Sequence, residues 1–199
     1  MAKTVLYGAS GHGKVIADIF VANGITDIMF WDDSDNASTI GDYMVTKPQL
    51  DNANDVSLVI SIGDNKTRMA IANKCREHVR FVAAIHSSVI TAKSVTIAEG
   101  TVVMPGAILN ADARVGEHCI INTAAVIEHD CVVEDYCHIS PNATLCGNVW
   151  VGEGSHIGAG AVVIPGVKIG KWCRIGAGSV VIRDVPDNTT VAGCPAKKL

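Results

Sequence analysis

The sequence predicts a small α/β domain with a parallel sheet over residues 1–84, running into a parallel β-helix of six-residue repeats over residues 85–199. Two observations carry this. Aliphatic side chains stand at Ile97, Val103, Leu109, Val115, Ile121, Ile127, Val133, Ile139, Leu145, Val151, Ile157, Val163, Ile169, Ile175 and Val181, a spacing of six without a slip. Upstream of them, short apolar runs alternate with segments of helical periodicity, separated by glycine-rich or acidic turns.

The first element is the strand "TVLYG". A helix follows from about Gly13 to Ala22, with Val15, Ile16, Ile19 and Phe20 on its buried side, and then the strand "IMFWDD". "VSLVISIGDN" is a further strand, whose end offers Asp64 or Asn65 as N-cap to a helix carrying Met69, Ala72 and Cys75. The strand "RFVAAIH" then enters the repeat without a flexible linker. The first turn, "GASGHGK" from Gly8 to Lys14, meets G-x-x-x-x-G-K, but Val15 stands where a Ser or Thr should hold magnesium. Its glycine order also reverses that of the dinucleotide fingerprint. The physics common to both motifs remains, since glycines let the backbone close on an anion at the positive end of a helix. Asp32 and Asp33 end the second strand about twenty residues on, where a carboxylate accepts ribose hydroxyls. A nucleotide diphosphate site is the expectation, set against a tight turn beside a solvated acidic loop.

Within the repeat, the residue four after each of the first fourteen aliphatic positions is never larger than valine. Two inward positions in six, with corners such as "VGEG" and "IGAG", do not fit a helical period; they fit a chain that turns a corner every six residues. This is the hexapeptide repeat. It resembles the left-handed parallel β-helix of bacterial acyltransferases, in which three hexapeptides make one triangular coil, and the handedness comes from that resemblance alone. Cys119, Cys131, Cys137 and Cys173 fall in the small inward slots, where cysteine acts as a small hydrophobe.

On that geometry residues eighteen apart share a face. The first face presents Ile108, Val126, Thr144, Val162 and Val180, is almost wholly apolar, and should be covered by another subunit or segment. The second presents Val102, Ile120, His138, His156 and Arg174, and the third Arg114, Val132, Trp150 and Lys168. His129, in the corner "EHD" between the first and third faces, lies opposite the face of His138. One chain cannot bring both to one site.

A net charge of -4, from 16 basic and 20 acidic residues with no basic run, leaves no electrostatic footprint for nucleic acid. "MAKTVLYGAS" has too short an apolar run for a signal peptide, and no stretch is long and apolar enough to span a membrane, so a cytoplasmic protein is expected. Seven cysteines without a C-x-x-C pair argue against a disulfide framework and a thiolate zinc site.

Together, "YGASGHGKV", "WDD", "SIGDN", "AAIHSSV", "NTAAVIEHDC", "CHISPNATLCGNV" and "VAGCPAKKL" resemble the nucleotide-sugar acetyltransferases that N-acetylate a UDP-4-amino-4,6-dideoxy sugar, including those of bacillosamine synthesis. GDP-perosamine N-acetyltransferases and sialic acid O-acetyltransferases share much of the pattern. The resemblance spans nearly the whole chain and is most specific in "IEHDCVVEDYCHISPNATLCGNV". It implies an acetyl-CoA donor along the β-helix, a nucleotide sugar on the first domain, and a homotrimer with sites between subunits. It puts the catalytic histidine on His129, with Asp130 or Glu128 to orient it, a second active-site histidine on His138, an asparagine on Asn122, and the amide near the thioester on Gly147. Similar members often carry Glu where Asp130 stands. The sugar nucleotide is expected at Gly8, Ser10, Gly11, His12, Gly13, Asp32, Asp33, Gly63, Asn65, Asn122 and His138, and coenzyme A at His138, Gly147, Ala159, Ala177 and Lys197. No metal is expected.

An amine attacking a thioester sheds a proton as the tetrahedral intermediate forms, and an imidazole with a pKa near neutrality suits that task. Its other nitrogen needs an acceptor, and the oxyanion needs an N–H donor. His129 is the expected base. Cys146, beside Gly147 and outside the inward slots, offers a covalent relay that direct transfer to an amine does not need. His78, His118 and His156 are read as ordinary histidines, and His86 as joining the domains. The rivals are a sugar O-acetyltransferase, a zinc-dependent hydratase using His129, His138 and His156 between subunits, and a non-catalytic nucleotide-sugar sensor.

Overall fold

The computed structural model describes residues 3–34, 38–53 and 55–199. The first domain runs β1 (Lys3–Tyr7), α1 (Gly11–Ala22), β2 (Ile28–Trp31), β3 (Thr39–Ile40), β4 (Tyr43–Thr46), β5 (Val56–Ile60), α2 (Asn65–Cys75) and β6 (Arg80–Phe81). Its sheet has the order β3-β4-β2-β1-β5-β6. All pairs are parallel except the hairpin of β3 with β4. β1 reads as a continuous apolar run because both of its faces are covered. Leu6 packs towards Ile16 and Phe20 of α1, and Val5 and Tyr7 pack towards Ile71 and Cys75 of α2.

α1 begins two residues before the expected start, and its buried stripe is Gly13, Ile16, Ala17, Ile19 and Phe20. Val15, expected inward, is 39% exposed. The helical period puts positions 13, 16, 17 and 20 over the sheet, and the small residues there let the helix come close. A Cβ on Gly13 would lie 2.6 Å from the Gly8 carbonyl oxygen. At α2 the cap is Asp64, whose carboxylate accepts from the Thr67 amide at 2.9 Å and the Thr67 hydroxyl at 2.8 Å.

"RFVAAIH" is not one strand. β6 closes the first sheet, whereas Ala84–Ile85 pairs with Val102–Val103 in the β-helix. The intervening Val82 and Ala83 turn the chain from one sheet into the other. From there, two-residue strands stack every eighteen residues on three parallel faces, with Val126↔Thr144, His138↔His156 and Trp150↔Lys168 in register. The aliphatic positions and the four slot cysteines form one core that fills the prism. Corners are closed by residues in the left-handed region, among them Asp112, Asp130, Asn142 and Asn148, types that tolerate a positive φ. The first domain sits on the second face, where Val102, Met104 and Ile120 join the α1 cluster. On the first face Ile108, Val126, Thr144, Val162 and Val180 remain half-exposed, and Ile90 is 63% exposed. Among the described residues, no helix is long and apolar enough to cross a membrane.

Candidate active site

The glycine loop follows β1. Gly8, at φ +120°, donates its amide to the Trp31 carbonyl at 2.8 Å, and its own carbonyl accepts from the Ser61 hydroxyl at 2.8 Å. Ser10 precedes α1 in an extended conformation, and its side chain makes no capping bond. The first-turn amides of Gly11, His12 and Gly13 therefore have no acceptor within the helix, and a Cβ on Gly11 would meet nothing within 4 Å. Asp32 holds this loop, one carboxylate oxygen accepting from the Ala9 amide at 2.8 Å and the other from Ser34. Burial raises the Asp32 pKa, but the bonds from Ser34 and Ala9 outweigh it and the net shift is downward. Asp33 accepts from the Tyr7 hydroxyl at 2.8 Å and lies 3.5 Å from the Lys74 ammonium. Burial and that acceptor push the Tyr7 phenol up to about 12.

His138 stands on the second face beneath this domain. Its Nε2 lies 3.0 Å from Nδ2 of Asn122. A carboxamide nitrogen only donates, so Nε2 is the acceptor and the proton belongs on Nδ1, which is buried without a partner. The ring stacks on His156 at 4.6 Å, and Nε2 of His156 meets the Ser140 hydroxyl at 2.8 Å. Burial, then the charges of His156, Arg68 and His12, drive the His138 pKa down to about 3, so the ring stays neutral. His138 and His156 line a cavity of about 610 Å³ together with Gly63, Asn65, Trp172 and Arg174. His12 is half-buried with Nε2 unpartnered, and burial lowers its pKa.

His129 occupies the corner between the first and third faces, its side chain 62% exposed. Its Nδ1 meets a carboxylate oxygen of Asp130 at 2.8 Å, and that bond raises its pKa. Glu128 acts on the ring only through its charge. The aspartate is long enough because Asp130 takes the left-handed conformation at the corner, φ +60°. A Cβ on Gly147 would lie 2.5 Å from Nε2 of His129, so the imidazole rests on bare backbone one coil away. Cys146 is half-buried, and its carbonyl accepts from the Cys131 thiol at 3.1 Å.

The structure brings the glycine loop, Asp32, Asp33, Gly63, His12, Asn122 and His138 to one side of the prism and leaves His129, Asp130 and Gly147 at the opposite corner. Ala159 and Ala177 are joined through the Gly178 amide and the Ala159 carbonyl at the corner between the second and first faces. Lys197 pairs with Ala192 at the end of the second face. The Asn65 amide is engaged at both ends, donating to the Gly154 carbonyl at 3.0 Å and accepting from Arg68 at 2.8 Å, so it ties the domains together where it lines the cavity. One expectation changes. His86 turns to Ser88 of its own coil at 2.8 Å, and a domain link beside it comes from the Asn23 amide to the Ile85 carbonyl. Sequence reading missed Arg68, which is 1% exposed and lodged between α2 and the β-helix. Burial lowers its pKa to about 10, which leaves it charged at neutral pH. Its helical spacing with Ala72 and Cys75 was the available signal. Among the described residues, no group of three His, Cys, Asp or Glu is gathered to hold a metal ion.

Residues 3–75 match the PglD N-terminal domain family, and residues 112–147 and 148–183 match the bacterial transferase hexapeptide family. The chain is 38% identical to a histidine-to-asparagine mutant of the perosamine N-acetyltransferase of Caulobacter crescentus, solved with CoA and GDP-perosamine, covering 100% of this chain and 97% of that one at a TM-score of 0.94. It is 34% identical to the acetyltransferase domain of PglB from Neisseria gonorrhoeae, solved with acetyl coenzyme A, over 100% and 99% of the two chains at a TM-score of 0.95. It is also 44% identical over 112 residues to the UDP-N-acetylbacillosamine N-acetyltransferase of Bacillus subtilis, a match spanning 52% of each protein. The chain belongs to the hexapeptide-repeat sugar N-acetyltransferases that these structural relatives represent, and its β-helix is of their left-handed kind.

Proposed function

We propose that the chain transfers acetyl from acetyl-CoA to the 4-amino group of a UDP-4-amino-4,6-dideoxy sugar, with His129 as general base, in a seam between copies of a homotrimer. The observation that carries this is the His129 ring itself, tethered through Nδ1 to Asp130 with Nε2 over Gly147. In that arrangement Nε2 takes the proton of the attacking amine while an N–H at Gly147 faces the developing oxyanion. Collapse of the intermediate expels the CoA thiolate, which recovers the proton. The amide is formed and the ring is again neutral.

The sugar nucleotide is placed at the glycine loop, where amides of the first turn of α1 are open to a diphosphate. His138, neutral and fixed by Asn122, serves as a binding group. Since the loop and His129 lie on opposite sides of one prism, a second copy must supply the base, and the apolar first face is the surface suited to hold it. The Bacillus subtilis relative supports a UDP sugar. The full-length likeness to the Caulobacter crescentus enzyme favours a second reading, a GDP-linked amino sugar.

A thiol-release assay with acetyl-CoA against UDP- and GDP-linked amino sugars tests both. One amino sugar should release thiol stoichiometrically with amide formed, and His129→Ala should lower kcat by at least about a hundredfold. Binding without thiol release would leave a sensor, and an unchanged rate in the variant would remove His129 from the chemistry.

A further inference from the structure

Arg68 lies on α2, apart from both the glycine loop and His129, yet its guanidinium meets six oxygens and none belongs to a carboxylate. Nε donates to the His118 carbonyl at 2.7 Å. Nη1 donates to the carbonyls of Ile62 and Gly63 at 3.0 and 3.2 Å. Nη2 donates to the Asn65 side chain at 2.8 Å and to the carbonyls of Tyr136 and Cys137 at 2.9 and 3.3 Å. Two of these acceptors form the turn after β5, at the mouth of the nucleotide-binding half. Three belong to two successive coils of the β-helix, and the last immediately precedes His138. Asn65 carries the ladder one coil further, to Gly154. Only a planar fork of donors spans such a set.

We propose that Arg68 is a positioning residue, which fixes the Gly63 turn of the first domain in register with the coil bearing His138 and so sets where a bound sugar nucleotide lies relative to the β-helix. Gly63 and His138 line the same cavity, and that is where this register is felt. A second interdomain cation, Arg76, pairs with Glu117 at 2.9 Å on the exposed rim, where such a pair adds little. The inference rests on the sugar-nucleotide reading above, and its test separates the two.

In Arg68→Lys the charge stays and the fork goes. We expect kcat to fall about tenfold to a hundredfold, as for a misplaced substrate, while the calorimetric Kd for the free nucleoside diphosphate stays near wild type because the glycine loop is untouched. Arg76→Gln should leave kcat unchanged. An unchanged kcat in folded Arg68→Lys overturns the proposal, as does a loss of kcat and binding together in proportion to the folded fraction. Should that variant not fold, Asn65→Ala, which removes the Gly154 rung, is judged by the same two measurements. Should the wild type turn over no amino sugar, the acetyl-transfer reading fails. The His138 ring resonances then decide: shifted in Arg68→Lys they support the register, and unmoved they overturn it.

Discussion

Asp130 accepts from Nδ1 of His129 and raises the pKa of the ring above its ordinary 6.5. The ring is a base only when neutral, so kcat/KM should be full at high pH and fall as pH drops through a value above 6.5. Asp130→Asn removes the carboxylate, and the acid limb should move to lower pH while the plateau falls as the ring loses its tether. An acid limb that stays put would show that Asp130 does not tune the base. The position of His129 was legible in the sequence because a strict repeat turns position into arithmetic. Its tether was not, since choosing between Glu128 and Asp130 needed the corner dihedral.

At the scale of elements, His118 closes the junction of the two domains, stacked on Tyr136 at 5.4 Å and edge-on to Phe81 at 4.4 Å. Burial, aided by Arg76 and Arg68, pushes its pKa down to about 4. The unfolded chain takes up a proton near pH 6.5 that the native ring refuses, so stability should decline as pH falls from 6.5 towards 4 and be unaffected by this ring above that window. His118→Phe keeps both ring contacts and cannot titrate. Urea unfolding at pH 7 and pH 5 should show a smaller loss in the variant, and equal losses would exclude His118 as a source of acid sensitivity. The two helices and the repeat strands were readable from period and caps, whereas the β3–β4 hairpin and the break inside "RFVAAIH" were not. Arg68 and the inward turn of Ala17 were not, because a buried guanidinium depends on carbonyls from segments fifty to sixty-nine residues away, and a small residue contributes little to a hydrophobic stripe.

At the scale of the molecule, the half-exposed apolar first face is the feature that a single chain leaves unexplained, and the eighteen-residue stacking makes it legible in the sequence. If copies join there, Val162→Glu buries a carboxylate in the contact. Sedimentation should show dissociation, with loss of turnover although His129 and Asp130 are untouched. An assembled and active variant would move the interface elsewhere. The most direct measurement is complementation between two inactive chains. Gly11→Leu places a side chain in the open space before α1 and blocks the loop, and His129→Ala removes the base. Co-expressed, the two should regain about a quarter of the wild-type rate, because random pairing in a cyclic assembly makes that share of seams intact. No recovery in demonstrably mixed assemblies would contradict a site shared between copies.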